Sequence, residues 1–90
     1  MSKHTHLHAN EARMNLTWMG LNGDLVEPVP FHVHDAELLR IAERALRAGA
    51  VSGISKRRKA SLAGFVVDRF PATGGVTHNR VFIRPSTPFG

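Results

Sequence analysis

A chain of 90 residues holds one domain and one core, and at this size burial leaves a thin stability margin. Hydrophobic residues make up 42% and charged residues 21%, which excludes wholesale disorder, and the absence of cysteine excludes disulfides and Cys-based zinc sites. The net charge of +5 is uneven: residues 1–55 carry five basic against six acidic side chains, whereas residues 56–90 carry seven basic against Asp68 alone.

Residues 1–13 show no usable periodicity and read as a flexible His-rich leader. The leader is polar, without the apolar run of a signal peptide, and no later stretch approaches the ~18 apolar residues of a membrane span. No membrane contact is expected, and a cytoplasmic location is. From Met14, apolar Met14, Leu16 and Trp18 alternate with Asn15, Thr17 and Met19, the pattern of a half-buried strand. Asn22-Gly23 follows and predicts a type I′ hairpin turn. The return strand then runs from Asp24 to Val33, with Leu25, Val29, Phe31 and Val33 as core contacts. Pro28 and Pro30 each remove a ladder donor, so this strand lies at an edge or breaks in the middle.

Asp35 is a suitable N-cap for a helix from Ala36 to Ala48. Leu38, Leu39, Ile41, Ala42, Ala45 and Leu46 form its apolar stripe, and Gly49 is a natural C′ residue. Glu43 and Arg47 make a favourable i,i+4 pair. Beyond it, Val51 and Ile54 are candidates for the core, and residues 55–62 fit a short helix capped by Ser55 or an exposed loop. The helix would place four cations at a positive dipole end. Phe65–Phe70, a turn over 71–75 and Val76–Arg84 form a second hairpin, stopped by Pro85 and Pro88 before an extended tail, 86–90. The predicted fold is α+β, ββαββ: one domain over 14–85, with the helix packed on an antiparallel or mixed sheet of about four strands.

Lys56, Arg57, Arg58 and Lys59 repel one another unless phosphates replace their counterions. With Arg69, Arg80 and Arg84 they would line one basic surface, and strand alternation puts Arg80, Phe82 and Arg84 on one face. Nucleic acid or another polyanion is the partner this implies. A domain this small nevertheless needs its aromatics inside, which places Phe82 in the core. His4, His6 and His8 form one H-x-H-x-H run and His32 with His34 a further H-x-H, spacings that suit a zinc, nickel or copper ion; His78 stands alone. Cysteine nucleophiles, G-x-S-x-G and Walker-type loops are missing, so neither an enzyme nor a cofactor is expected. Ser61 follows the basic run as a kinase substrate would, but reads as an ordinary loop serine.

Leu16 to Gly49, with its early Asn22-Gly23 turn and the helix Glu37 to Leu46, resembles the opening of prokaryotic ubiquitin-like, β-grasp proteins. The resemblance implies a β-grasp-like sheet and a protein partner, with C-terminal Gly90 as the point of conjugation. The tail reads Pro88-Phe89-Gly90 in place of Gly-Gly, and the basic run at 56–59 is no mark of that family. A small phage or plasmid inhibitor of a host protein would have the same general appearance. An exposed edge strand would also let two copies pair as a homodimer.

Overall fold

The computed structural model describes residues 7–75 and 77–86. His4, His6, Val76 and the C-terminal Pro88, Phe89 and Gly90 lie outside the described residues. The elements are β1 (Glu11–Trp18), β2 (Leu21–Asp24), β3 (Val29–Pro30), α1 (Asp35–Ala48), β4 (Phe65–Phe70) and β5 (Asn79–Pro85). The fold is α+β, with one helix packed on a mixed sheet of order β2-β1-β5-β4; β3 also pairs with β1. The two central strands, β1 and β5, are parallel, and every other pair is antiparallel.

Alternation along β1 divides the sheet into two faces. Ala12, Met14 and Leu16 point inward and are fully buried, while Glu11, Arg13, Asn15 and Thr17 point outward. The strand begins at Glu11, so residues 11–13 belong to the sheet and not to a leader. β5 repeats the alternation, with Asn79, Val81 and Ile83 inside. Leu38, Ala42 and Leu46 of α1 close over this inner face, joined by Leu25, Val29, Phe31, Val51, Ile54, Ala60 and Leu62.

The first turn differs from expectation. It falls at Met19-Gly20, where φ is 52° and 78°, and Trp18 pairs with Leu21. Asn22-Gly23 lies inside β2 instead, opposite Thr17 and Leu16. Two tertiary demands hold it there. Asn22 exchanges hydrogen bonds with Asn15 and donates to Thr17 Oγ1 at 2.9 Å. Gly23 lies so close to the Ser52 carbonyl that a Cβ would clash with it. The turn consequently carries a methionine in the left-handed region, 76% exposed. Met19→Asn, a residue that tolerates positive φ, is expected to stabilise the protein by about 0.5–1 kcal/mol, raising Tm by roughly 3–6 °C in a thermal melt.

The proline break occurs where expected. The return strand stops after Asp24 and resumes only for Val29–Pro30, both pieces pairing with β1 on its outer side. Residues 50–54 cover the gap: Val26 N donates to Ala50 O, Ser52 N donates to Asp24 O, and Val51 bridges Leu25. α1 starts one residue early, with His34 as N-cap and no side-chain cap bond. Asp35 is therefore the first helical residue and not the cap, because Arg69 engages its carboxylate. Gly49 ends the helix in the left-handed conformation, donating to Ala45 O and Leu46 O.

Residues 55–62 are loop, not helix. The loop is anchored from α1: Glu43 Oε2 accepts from Leu62 N at 2.9 Å, and Arg47 Nε donates to Ala60 O at 2.8 Å. The Glu43–Arg47 pair itself closes at 3.4 Å. Asn79, buried at the head of β5, donates to the carbonyls of Ala9 and Glu11 and accepts from Ala72 N, tying the second turn to the start of β1. Among the described residues, no helix is long and apolar enough to cross a membrane.

Candidate functional site

The seven cations expected to form one surface occupy three places. Lys56, Arg57, Arg58 and Lys59 gather around Trp18 at the C-terminal end of β1, where with Ala60 they line a shallow groove. Trp18 continues the inner face of β1 and packs its body against the core. The Arg57 guanidinium lies 5.4 Å from the Trp18 ring centroid, a cation–π contact. Arg57 N donates to Leu46 O, and Ala60 N donates back to Arg57 O, so the loop turns tightly against the last turn of α1.

That placement removes the electrostatic objection to a cationic helix start. The four charges stand beside the negative end of the α1 dipole, where cations are favoured. Lys56, Arg58 and Lys59 are exposed, and among the described residues none of the four makes an ion pair.

Arg80 and Arg84 lie on the outer face of the sheet, away from α1. Arg84 pairs with Asp68 on the neighbouring strand. Arg80 stacks over Phe82, its guanidinium 5.0 Å from the ring centroid. Phe82 is on this outer face and not in the core, because Val81 and Ile83 already fill the inner positions of β5.

Arg69 belongs to neither group. It follows Phe65 and Val67 on the inward side of β4 and reaches across to the segment before α1. Its Nη1 donates to Phe31 O at 2.5 Å, and its Nη2 donates to Val33 O at 2.7 Å and to Asp35 Oδ1 at 2.6 Å. All of its charge is directed into the fold.

The described histidines do not assemble. His32 stacks edge-on against Phe31, His34 caps α1 through its backbone, and His78 Nδ1 meets Thr77 Oγ1 at 3.0 Å. Among the described residues no group of three or more His, Asp or Glu side chains is placed to hold a metal ion. Ser61 Oγ accepts from Ala63 N within its loop.

Two features escape sequence reasoning. Trp18 is paired with Arg57 by the fold, although β2, β3 and α1 lie between them in the chain. Phe70, at the end of β4, is 51% exposed beside Phe82, the ring centroids 5.4 Å apart at 81°. Strand alternation was the available signal for Phe70, since it puts that residue on the face of Val66 and Asp68. No family model, curated protein or solved structure matches the chain.

Proposed function

We propose that this is a small binding protein, acting by contact and not by catalysis, that holds nucleic acid or another polyanion through Lys56, Arg57, Arg58 and Lys59. The carrying observation is the gathering around the single tryptophan of four cations that make no ion pair among the described residues, at a helix C-terminus that holds the loop in place. Phosphates would replace the counterions of this loop, and their release supplies the affinity. Arg80 and Arg84 stand on the opposite face of the sheet, Arg84 paired with Asp68, and Arg69 is engaged within the fold, so none of the three adds to this loop.

The test is a set of neutral replacements, Lys56→Gln, Arg57→Gln, Arg58→Gln and Lys59→Gln together. Binding to a labelled oligonucleotide is measured between low and moderate salt. Neutralising four phosphate contacts is expected to flatten the slope of log K against log salt by roughly 3. An unchanged slope would overturn the reading. Trp18 provides an internal reporter: its emission should respond to ligand in the parent protein and lose that response in the variant.

A second reading has one observation in its favour. A parallel central pair flanked by antiparallel strands, with a helix across one face, is compatible with the β-grasp-like architecture of ubiquitin-like modifiers. In that reading the partner is a protein and Gly90 is the conjugation point. Deleting Gly90 separates the two readings, since conjugation would vanish while polyanion binding would persist.

A further inference from the structure

The outer face of the sheet carries a second surface of distinct character. Register sets Arg13 beside Arg80 and Arg80 beside Phe70, one row across β1, β5 and β4. The adjacent row runs Asp24, Asn15, Phe82 and Asp68 across four strands. Phe70 and Phe82 meet edge to face, and Arg80 lies over the Phe82 ring. Val66, 38% exposed, is a further apolar residue on this face of β4, separated from Phe70 by Asp68. Two of five phenylalanines thus stand side by side outside the core of a domain that has few aromatics to place inside.

The charges on this face separate into engaged acids and free cations. Asp68 is held by Arg84, Asp24 Oδ1 accepts from Asn15 Nδ2 at 2.7 Å, and Glu11 Oε1 accepts from His8 N at 3.0 Å. Arg13 and Arg80 make no ion pair among the described residues. An aromatic pair on an open sheet, bordered by Arg13 and Arg80 with no acid partner among the described residues, matches the chemistry of a chain of stackable bases joined by phosphates. A duplex keeps its base faces stacked inside the helix and cannot use the rings; a single strand can.

We infer that the outer face binds single-stranded nucleic acid, with bases stacking on Phe70 and Phe82 and phosphates held by Arg13 and Arg80. The inference rests on the polyanion reading for the class of ligand, and deepens it by assigning strandedness to a face that the cation loop does not share. Trp18 and that loop lie on the helix side of the sheet, so the two surfaces can be altered separately.

The experiment compares the full chain, Phe70→Ser, Phe82→Leu and the neutralised 56–59 loop. The probes are an oligothymidine of about 15 nucleotides and a duplex of the same length. Phe70→Ser removes an exposed ring, and Phe82→Leu keeps apolar bulk on the sheet, with unchanged thermal melts certifying the fold. Each is expected to weaken single-strand binding about 10-fold, within the range for losing one stacked base, while duplex affinity stays the same. Equal losses on both probes, or no loss on either, would overturn the inference. If the neutralised loop loses affinity while both phenylalanine variants match the parent, the outer-face assignment alone falls. If the parent binds neither probe, or retains only a protein partner, the polyanion reading falls with it.

Discussion

Gly23→Ala should lower Tm by roughly 20 °C, an effect far beyond what adding one methyl group to a strand normally produces. Gly23 has no positive φ, so backbone freedom is not what requires glycine there. The reason is space. A Cβ at position 23 would sit 1.7 Å from the Ser52 carbonyl oxygen and 2.9 Å from its carbon, with Val51 Cγ1 at 3.2 Å. The two nearest atoms are backbone, and no rotamer change relieves them. The loop 50–54 would have to lift from β2, breaking the Ser52 N to Asp24 O bond and loosening the Leu25–Val51 bridge. Val51 and Ile54 are both buried and would lose part of their packing. Overpacking together with the loss of about one buried hydrogen bond amounts to about 4 kcal/mol. Gly20→Ala is the control. Gly20 has φ of 78° but nothing within reach of an added Cβ, so only backbone strain of about 1 kcal/mol is expected. Equal melting temperatures for the two variants would show that close approach does not constrain Gly23.

The same residue shows where sequence reasoning reaches its limit. Asn-Gly is a local turn signal, and it favours a turn wherever nothing else competes. Here the competitor is a loop nearly thirty positions further along the chain, which needs a residue without a side chain to pack against. The signals that survive folding are those satisfied within one element. The stripe of α1, its Gly49 terminus, the Glu43–Arg47 pair and the break at Pro28 all depend on neighbours a few positions away. The parity of β5 was legible for the same reason, and Arg80, Phe82 and Arg84 do share a face. The inference that Phe82 must be inside failed because Val81 and Ile83, of opposite parity, fill the inner positions first. The cation run was visible as composition. Its position beside Trp18 and at the negative end of α1 was not, because Trp18 comes from β1, far away in the chain, and the return of the loop onto Leu46 depends on how residues 50–54 pack.

Arg69 would be grouped with the ligand-binding cations by its charge, and its substitution separates stability from binding. Arg69→Met should destabilise the protein by about 3 kcal/mol, because it removes three donated bonds at once. Two of those acceptors are the carbonyls of Phe31 and Val33, which lead the chain from β3 into α1 and would lose their protein partner. Arg69→Lys should recover only part of the loss, since one ammonium cannot reproduce the planar fork that spans three acceptors. Asp35→Asn should cost much less, about 0.5 kcal/mol, because the Asp35 side chain is 63% exposed and its ion pair is screened by water. Chemical denaturation of the three variants gives the order directly. The affinity of folded Arg69→Lys for a polyanion should equal that of the parent, while the neutralised 56–59 loop should show the opposite pattern, retained stability and lost affinity. An Arg69→Met protein as stable as the parent but weaker in binding would return this residue to the contact surface. It would also mean that the three bonds to the segment before α1 contribute little to the fold.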